Sequence, residues 1–417
     1  MSHSPKKKVI IVGGGAAGFF TAINIAEKQP HFEVTILEKT SKLLSKVKVS
    51  GGGRCNVTNA RQQPSELTPF YPRGGKKLYH VFKEFSTSDM VSWLSHRGVQ
   101  THTEADLRMF PITNSSQTII DCFTSEVARL GVRVIQNCGV KHLEASENQW
   151  KLDTTQGIML TDKLVMATGS TPSVWGLLGQ LGLELVPPVP SLFTFNIKDP
   201  RISGLMGITF PEVNIRITGT KLEETGPLLI THWGLSGPAV LKLSAWGARE
   251  LSEKGYHFQI LVNYLGNRSN TDLRQWFDEQ KQNHPKRRIF NYPPGELTKR
   301  FWEQMCAYCD IPEHSAYGEI SKKQVNKLTE ELTQGLYEVK GKSTFKEEFV
   351  TSGGVNLSEV NLQTFEARRF PNLYLAGEVL DIDALTGGFN FQACWSAGWV
   401  ISEHFQKSVN PSQSGNS

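Results

Sequence analysis

The 417-residue sequence holds no apolar run approaching the roughly 20 residues that a membrane-spanning helix needs. The apolar stretch after Lys6-Lys7-Lys8 is cut short by Gly13-Gly14-Gly15, which also breaks any signal-peptide core. A cytoplasmic protein with no membrane partner is therefore expected. Cysteine is scarce too. The six residues Cys55, Cys122, Cys138, Cys306, Cys309 and Cys394 are scattered and need no disulfide framework. Cys306 and Cys309 have the spacing of a metal or redox pair, but no second pair or convincing histidine partner accompanies them. Packing on a helix is the better reading, and no metal is expected. An excess of one charge is also nearly missing: 45 Lys and Arg against 40 Asp and Glu give +5 and a pI near 8.7. That balance reads as solubility, and leaves RNA or an anionic substrate open without arguing for either. Internal repeats and long low-complexity segments are not evident, and only the polar tail Ser408 to Ser417 is expected to be disordered.

What remains is ordinary globular material, 39% hydrophobic and 20% charged, in a chain long enough for two or three domains. It is organised around Lys8-Val-Ile-Ile-Val-Gly13-Gly-Gly15-Ala16-Ala17-Gly18. Val9 to Val12 form a short β-branched run, the pattern of a strand buried on both faces. The Gly-x-Gly-x-x-Gly spacing then lets Gly13 make a tight turn, Gly15 admit a pyrophosphate and Gly18 pack a helix closely on the strand. The first turn of that helix faces the phosphates with free N–H groups and its positive dipole end. A second strand, Val34-Thr-Ile-Leu, closes on Glu38, 20 residues past Gly18 (38 − 18). A carboxylate there accepts from an adenosine ribose hydroxyl and repels a 2′-phosphate, so the adenosine end of NADP is not expected in this site.

After Val49 comes Ser50-Gly51-Gly52-Gly53-Arg54-Cys55-Asn56-Val-Thr58-Asn59, read as a loop whose backbone and donors crowd a planar or anionic ligand. With the first motif, this segment resembles the YhiN/BaiN-like family of NAD(P)/FAD-dependent oxidoreductases, and the resemblance covers almost the whole chain. Arg108-Met-Phe110-Pro111 is similar to the family's Arg-x-Phe-Pro segment. Lys163-Leu-Val-Met-Ala167-Thr168-Gly169-Ser170 looks like its second nucleotide-facing strand, with Ser170 where a second glycine is usual. The C-terminal run Asn372-Leu-Tyr-Leu-Ala376-Gly377-Glu378 to Thr386-Gly387-Gly388-Phe389-Asn390 again delivers an acid, and a glycine pair again opens a helix. Ala384 stands where the family commonly has glycine. A nicotinamide dehydrogenase does not need this second clasp, so it favours FAD over NAD.

The remaining elements are read from periodicity. Leu78 to Arg97 looks like one helix, and Ser116 to Leu130 another, ended by Gly131. Val132 to Ile135, Val140 to Glu144, Gln149 to Thr154 and Gly157 to Leu160 read as a β-meander. The prolines of Val186 to Pro190 mark a rigid crossing between domains. Alternating strands follow at Leu192–Ile197, Val213–Thr218, Leu228–Thr231 and Phe258–Tyr264. Three amphipathic helices, Asn270–Asn283, Glu296–Cys309 and Ser321–Thr333, come next, with Thr271 and Ser321 as N-caps and a core of Trp276, Phe277, Phe301, Trp302 and Met305. Lys281 to Arg288 is a basic patch, read as a solvated face.

The expected fold class is α/β. A discontinuous Rossmann-like FAD-binding domain of the two-dinucleotide-binding flavoprotein type spans 1–190 and 342–417. It carries an inserted β-barrel-like and helical domain, 191–341, β-rich at 191–265 and 335–341 and helical at 266–334. The resemblance implies non-covalent FAD held by Gly13, Gly15, Ala16, Ala17, Gly18, Glu38, Lys39, Gly53, Arg54, Cys55, Asn56, Val140, Thr168, Gly169, Gly377, Glu378, Gly387, Gly388, Phe389 and Asn390. With one complete dinucleotide fingerprint, NAD(P)H is expected only as a transient electron donor. Enoyl-type reduction or amine oxidation of a small molecule is the expected chemistry, with nucleic acid less favoured. No catalytic residue is assigned; Asn56, His232 and Asp381 are candidates. The rival readings are an NAD-dependent dehydrogenase and an RNA-binding flavoprotein acting on tRNA. The sequence does not determine the oligomeric state.

Overall fold

A computed structural model describes residues 6–146, 149–343 and 350–409. The chain divides into two compact units, 1–188 with 350–417 and 189–349. Of the expected disordered tail Ser408 to Ser417, Ser408 and Val409 belong to the helix Phe389–Val409, and the rest lies outside the described residues.

The first unit is built on a mostly parallel sheet. Strand β1 (Lys7–Val12) leads into helix α1 (Ala16–Lys28), strand β2 (Phe32–Leu37) and helix α2 (Ser45–Gly53). The sheet is completed by β3 (Arg133–Ile135), β4 (Lys163–Met166) and β5 (Leu373–Leu375), and helix α3 (Phe389–Val409) ends the described chain. In space the parallel order is β5-β4-β1-β2-β3, and two short antiparallel strands extend it beyond β5. Strand β1 is central, pairing Val9 with both Val34 and Lys163. Its residues Val9 to Val12 are no more than 6% exposed, as a strand covered on both faces requires. Outside the sheet, Phe20 of α1 meets Phe85, Trp93 and Trp395 at ring-centroid distances of 5.0–5.5 Å. Each fully buried ring of this kind contributes roughly 1.5–3 kcal/mol.

Three local expectations change. Val132 to Ile135 does not belong to the meander: as β3 it extends the parallel sheet beside β2, and the antiparallel meander is confined to Val140–Ala145, Trp150–Thr154 and Gly157–Thr161. Leu78 to Arg97 is two helices, Gly75–Glu84 and Thr87–Ser95. The break falls at Phe85-Ser86 because Ser86 and Asp89 cap the second helix reciprocally. The glycine segment after Val49 is not wholly loop either: α2 runs into it, but Gly51 and Gly52 are left-handed, at φ 57° and 67°.

The second unit contains a seven-stranded antiparallel sheet. Its spatial order is Gly335–Lys340, His257–Asn263, Thr209–Ile217, Glu223–Ile230, Gly234–Ser236, Thr194–Asn196 and Lys342–Ser343. Helices Asn270–Asn283, Lys299–Tyr308 and Lys322–Gln334 lie in the connection between the paired strands His257–Asn263 and Gly335–Lys340, with Phe277, Phe301, Trp302 and Met305 buried and Trp276 partly so. Ser321 caps the last helix as expected. The first is capped by Ser269 rather than Thr271, because Ser269 and Asp272 form a capping box. Cys306 and Cys309 are buried in this unit's core, and burial pushes the Cys309 thiol up to about 12.

Candidate cofactor site

The turn after β1 is fixed by contacts that leave no room for side chains. A Cβ on Gly13 would lie 2.3 Å from the Ala167 carbonyl oxygen, and one on Gly18 only 1.9 Å from that of Gly13. Strand, turn and helix are thus closed on each other by the absence of two methyl groups. Gly15 differs: a Cβ there would meet nothing within 4 Å. It is the N-cap of α1, and no side chain caps the helix, so its first-turn amides face that open space.

Glu38 ends β2 beside this turn. Its Oε2 accepts from Gly14 N at 2.9 Å, while Oε1 accepts from Thr40 N and Oγ1 at 2.8 and 2.9 Å. Three donors hold the carboxylate in one orientation; Oε1 is filled by Thr40, and Oε2 keeps a lone pair for a further donor. Lys39 is exposed, and its stem packs beside Gly139, where a Cβ would stand 3.3 Å from Lys39 Cγ. Val140 therefore follows a segment already pinned to β2, through Cys138 N to the Glu38 carbonyl at 2.8 Å.

The end of β4 meets the turn from the other side. Ala167 abuts Gly13, and the Thr168 hydroxyl is buried with no partner among the described residues. Gly169 approaches Glu378, whose carboxylate forms an ion pair with Lys46 of α2. Burial tends to lower the Lys46 pKa, but the charge and hydrogen bond of Glu378 outweigh it and hold the amine above its usual value. Gly377 packs against Ala17 of α1 and Cys394 of α3, so both helix starts converge on the same strand ends.

The C-terminal glycine pair is tied down by residues 56–73. Asn59 donates to the Gly387 carbonyl at 3.0 Å, and Tyr71 donates to the Phe389 carbonyl at 2.6 Å. Asn56, oriented to satisfy both ends of its carboxamide, donates to the Thr58 carbonyl and accepts from Gly388 N, both at 3.0 Å. A Cβ on Gly388 would collide with the Thr58 carbonyl at 2.4 Å. Arg73 and Asp383 form a buried two-pronged ion pair beneath this loop.

Most of the sequence-derived residues therefore gather at two adjoining ends of the first unit, but several side chains are turned elsewhere. Arg54 pairs with Glu104 at 2.6 Å and lies over the Phe110 ring at 4.1 Å. Cys55 is fully buried, its thiol pushed up to about 12 by burial. Phe389 stacks on Phe70 at 4.3 Å, and Asn390 spends its carboxamide on both backbone groups of Ala384. These four side chains are thus buried or engaged within the protein. Gly53 is exposed and left-handed at φ 85°. Of the catalytic candidates, Asp381 lies in the clasp with its N–H on the Val355 carbonyl, and His232 lies on an exposed turn of the second unit. Sequence reasoning missed Lys46, Thr40, Tyr71 and the Arg73–Asp383 pair; apart from Thr40, which binds Glu38 locally, each acts on a partner far away in the sequence.

These features fit FAD: an uncapped helix start over open space, a carboxylate fixed beside the glycine turn and an orphaned buried hydroxyl. Residues 7–404 match the family described as HI0933-like protein Rossmann domain. The chain is 30% identical to the ribosomal RNA dihydrouridine synthase of Escherichia coli K12, over 93% of this chain and 95% of that one. It is 24% identical to the 3-dehydro-bile acid delta(4,6)-reductase of Clostridium scindens, over 92% and 95%. Among solved structures, 3-ketosteroid delta1-dehydrogenase from Sterolibacterium denitrificans shares the fold with a TM-score of 0.52 at 10% identity, covering 97% of this chain and all of that one. No helix among the described residues is long and apolar enough to cross a membrane. The chain belongs to the HI0933-like Rossmann-domain family and is an FAD-dependent oxidoreductase.

Proposed function

We propose that the protein reduces a carbon–carbon double bond conjugated to a carbonyl, and that its substrate is uridine in ribosomal RNA. The likeness carrying this reading is the 30% identity to the E. coli ribosomal RNA dihydrouridine synthase across nearly the full length of both chains. On this reading nucleic acid is preferred to the small-molecule substrate expected from the sequence alone. The bile acid reductase supports the same reaction class, since its name also denotes reduction of double bonds in an oxidised ring system.

Bound FAD would supply hydride chemistry. In net terms a hydride adds to uracil C6, the carbon β to the C4 carbonyl, and a proton adds to C5; NADH or NADPH is the proposed source of the electron pair. The chain's part is to hold the cofactor. Glu38 would receive the adenosine ribose, the first turn of α1 would receive the pyrophosphate, and the backbone of Gly387 and Gly388 would serve the flavin end. Lys46 holds Glu378 in place beside Gly377.

The test is to incubate FAD-loaded protein with NADH or NADPH and unmodified ribosomal RNA, then digest the RNA and weigh its nucleosides. Dihydrouridine is expected. If uridine stays intact while a 3-dehydro bile acid is reduced, the small-molecule reading takes its place. If neither is reduced, the reaction class itself is refuted.

A further inference from the structure

Between Glu279 and Glu296 the second unit carries Lys281, Lys286, Arg287 and Arg288 and no carboxylate. Lys281 is spent on the Ile320 carbonyl at 2.7 Å. Lys286, Arg287 and Arg288 have no ion pair among the described residues, whereas Arg54, Arg97, Arg129 and Arg201 each hold a carboxylate. Of the nearby carboxylates, Glu319 accepts from Ala316 N at 2.9 Å, and Glu313 is exposed on the facing loop.

The backbone bearing these cations is already ordered. Arg287 donates its N–H to the His284 carbonyl at 3.0 Å, while the Arg287 and Pro285 carbonyls accept from Tyr317 and Gly318 at 3.0 and 2.9 Å. Ile289 and Phe290 anchor the segment in the core, where the Trp302 indole donates to the Ile289 carbonyl at 2.7 Å. A ligand would therefore meet a backbone already ordered in folding, with only the Lys286 and Arg288 side chains left to fix. The Arg287 guanidinium lies 4.4 Å from the centre of the Tyr292 ring, and Tyr292 is 47% exposed. An exposed ring with a planar cation on it suits base stacking, and free Lys and Arg beside it suit phosphates. A lipid surface would call for several exposed apolar side chains, and this segment exposes only Tyr292.

We propose that residues 286–292 form an RNA-docking surface, with Lys286 and Arg288 on phosphates and the Arg287–Tyr292 stack receiving an unpaired base. The proposal rests on the RNA-substrate reading above. The test is fluorescence anisotropy of a labelled RNA stem-loop with the FAD-loaded full chain across a salt series. The combined Lys286→Ala, Arg287→Ala and Arg288→Ala variant should lose affinity, and the slope of log Kd against log salt should fall by about 2–3. Tyr292→Ala should bind about tenfold more weakly with an unchanged slope. All these side chains lie at the surface, so FAD content and melting temperature should match the wild type. If wild type binds and the triple variant keeps its affinity and slope, the docking surface is overturned while the RNA reading stands. If wild type binds no RNA even at low salt, both fall.

Discussion

The Arg73–Asp383 pair offers the sharpest test of how the C-terminal clasp is held. The two residues are 310 positions apart, form an isolated antiparallel bridge, and pair through Nε and Nη2 with one carboxylate oxygen each. Their side chains are 9% and 0% exposed. Arg73→Met would strip a buried carboxylate of its cation, at a cost of about 3–5 kcal/mol. In a unit of roughly 250 residues each kcal/mol moves the midpoint by about 2 °C, so Tm should fall by about 6–10 °C. The double variant Arg73→Met with Asp383→Leu removes both charges and should recover most of that loss. Melting of FAD-saturated protein by circular dichroism gives the midpoint, and flavin fluorescence gives cofactor release. Release should track unfolding in the single variant, because Asp383 lies in the loop leading to Gly387 and Gly388. The reasoning fails if the single variant melts within about 2 °C of wild type, or if the double variant melts as low as the single.

Gly15→Ala should leave the melting temperature of cofactor-free protein unchanged, since its Cβ meets no protein atom and its φ of −96° suits alanine. FAD titration should nevertheless show a clear loss of affinity, because the methyl group enters the space assigned to pyrophosphate. Glu38→Ala should weaken FAD by roughly 10–100-fold, the 1.5–3 kcal/mol of a charge-assisted hydrogen bond, with the far-ultraviolet spectrum retained; unchanged occupancy would sink the ribose assignment. Glu126 is held below the usual carboxylate range, chiefly by its hydrogen bond to Arg129 and further by Arg97. Its contribution is therefore complete above about pH 4.3 and is lost as pH falls through that value toward the depressed folded pKa. Glu126→Gln should flatten this acid limb in a stability–pH series, and an unaltered limb would refute the pairing.

The elements that are legible in the sequence are those whose determinants are local. Strand β1, the glycine turn, α1 and β2 follow one another within residues 7–37; Gly18 closes on Gly13 inside that run, and Gly14 on Glu38 and Leu43 just past it. The break at Phe85 is also local, written as Ser86-x-x-Asp89, but an uninterrupted apolar face across Val81, Phe82, Phe85 and Met90 masks it. Strand β3 is different. Three residues of modest burial cannot announce whether they pair with β2 or with the neighbouring meander, because the choice is made by strands elsewhere in the chain. The same limit governs the site. Gly387 and Gly388 can be recognised as a helix opening, yet what fixes them is Asn56, Asn59, Tyr71 and Arg73, more than 300 residues away. Residue type alone points the other way for Arg54, which looks like a ligand donor until Glu104 and Phe110 claim its guanidinium. The polar residues after the first glycine loop thus serve less as ligand donors than as the lock on the second, so their substitution should be read first in cofactor retention rather than in turnover.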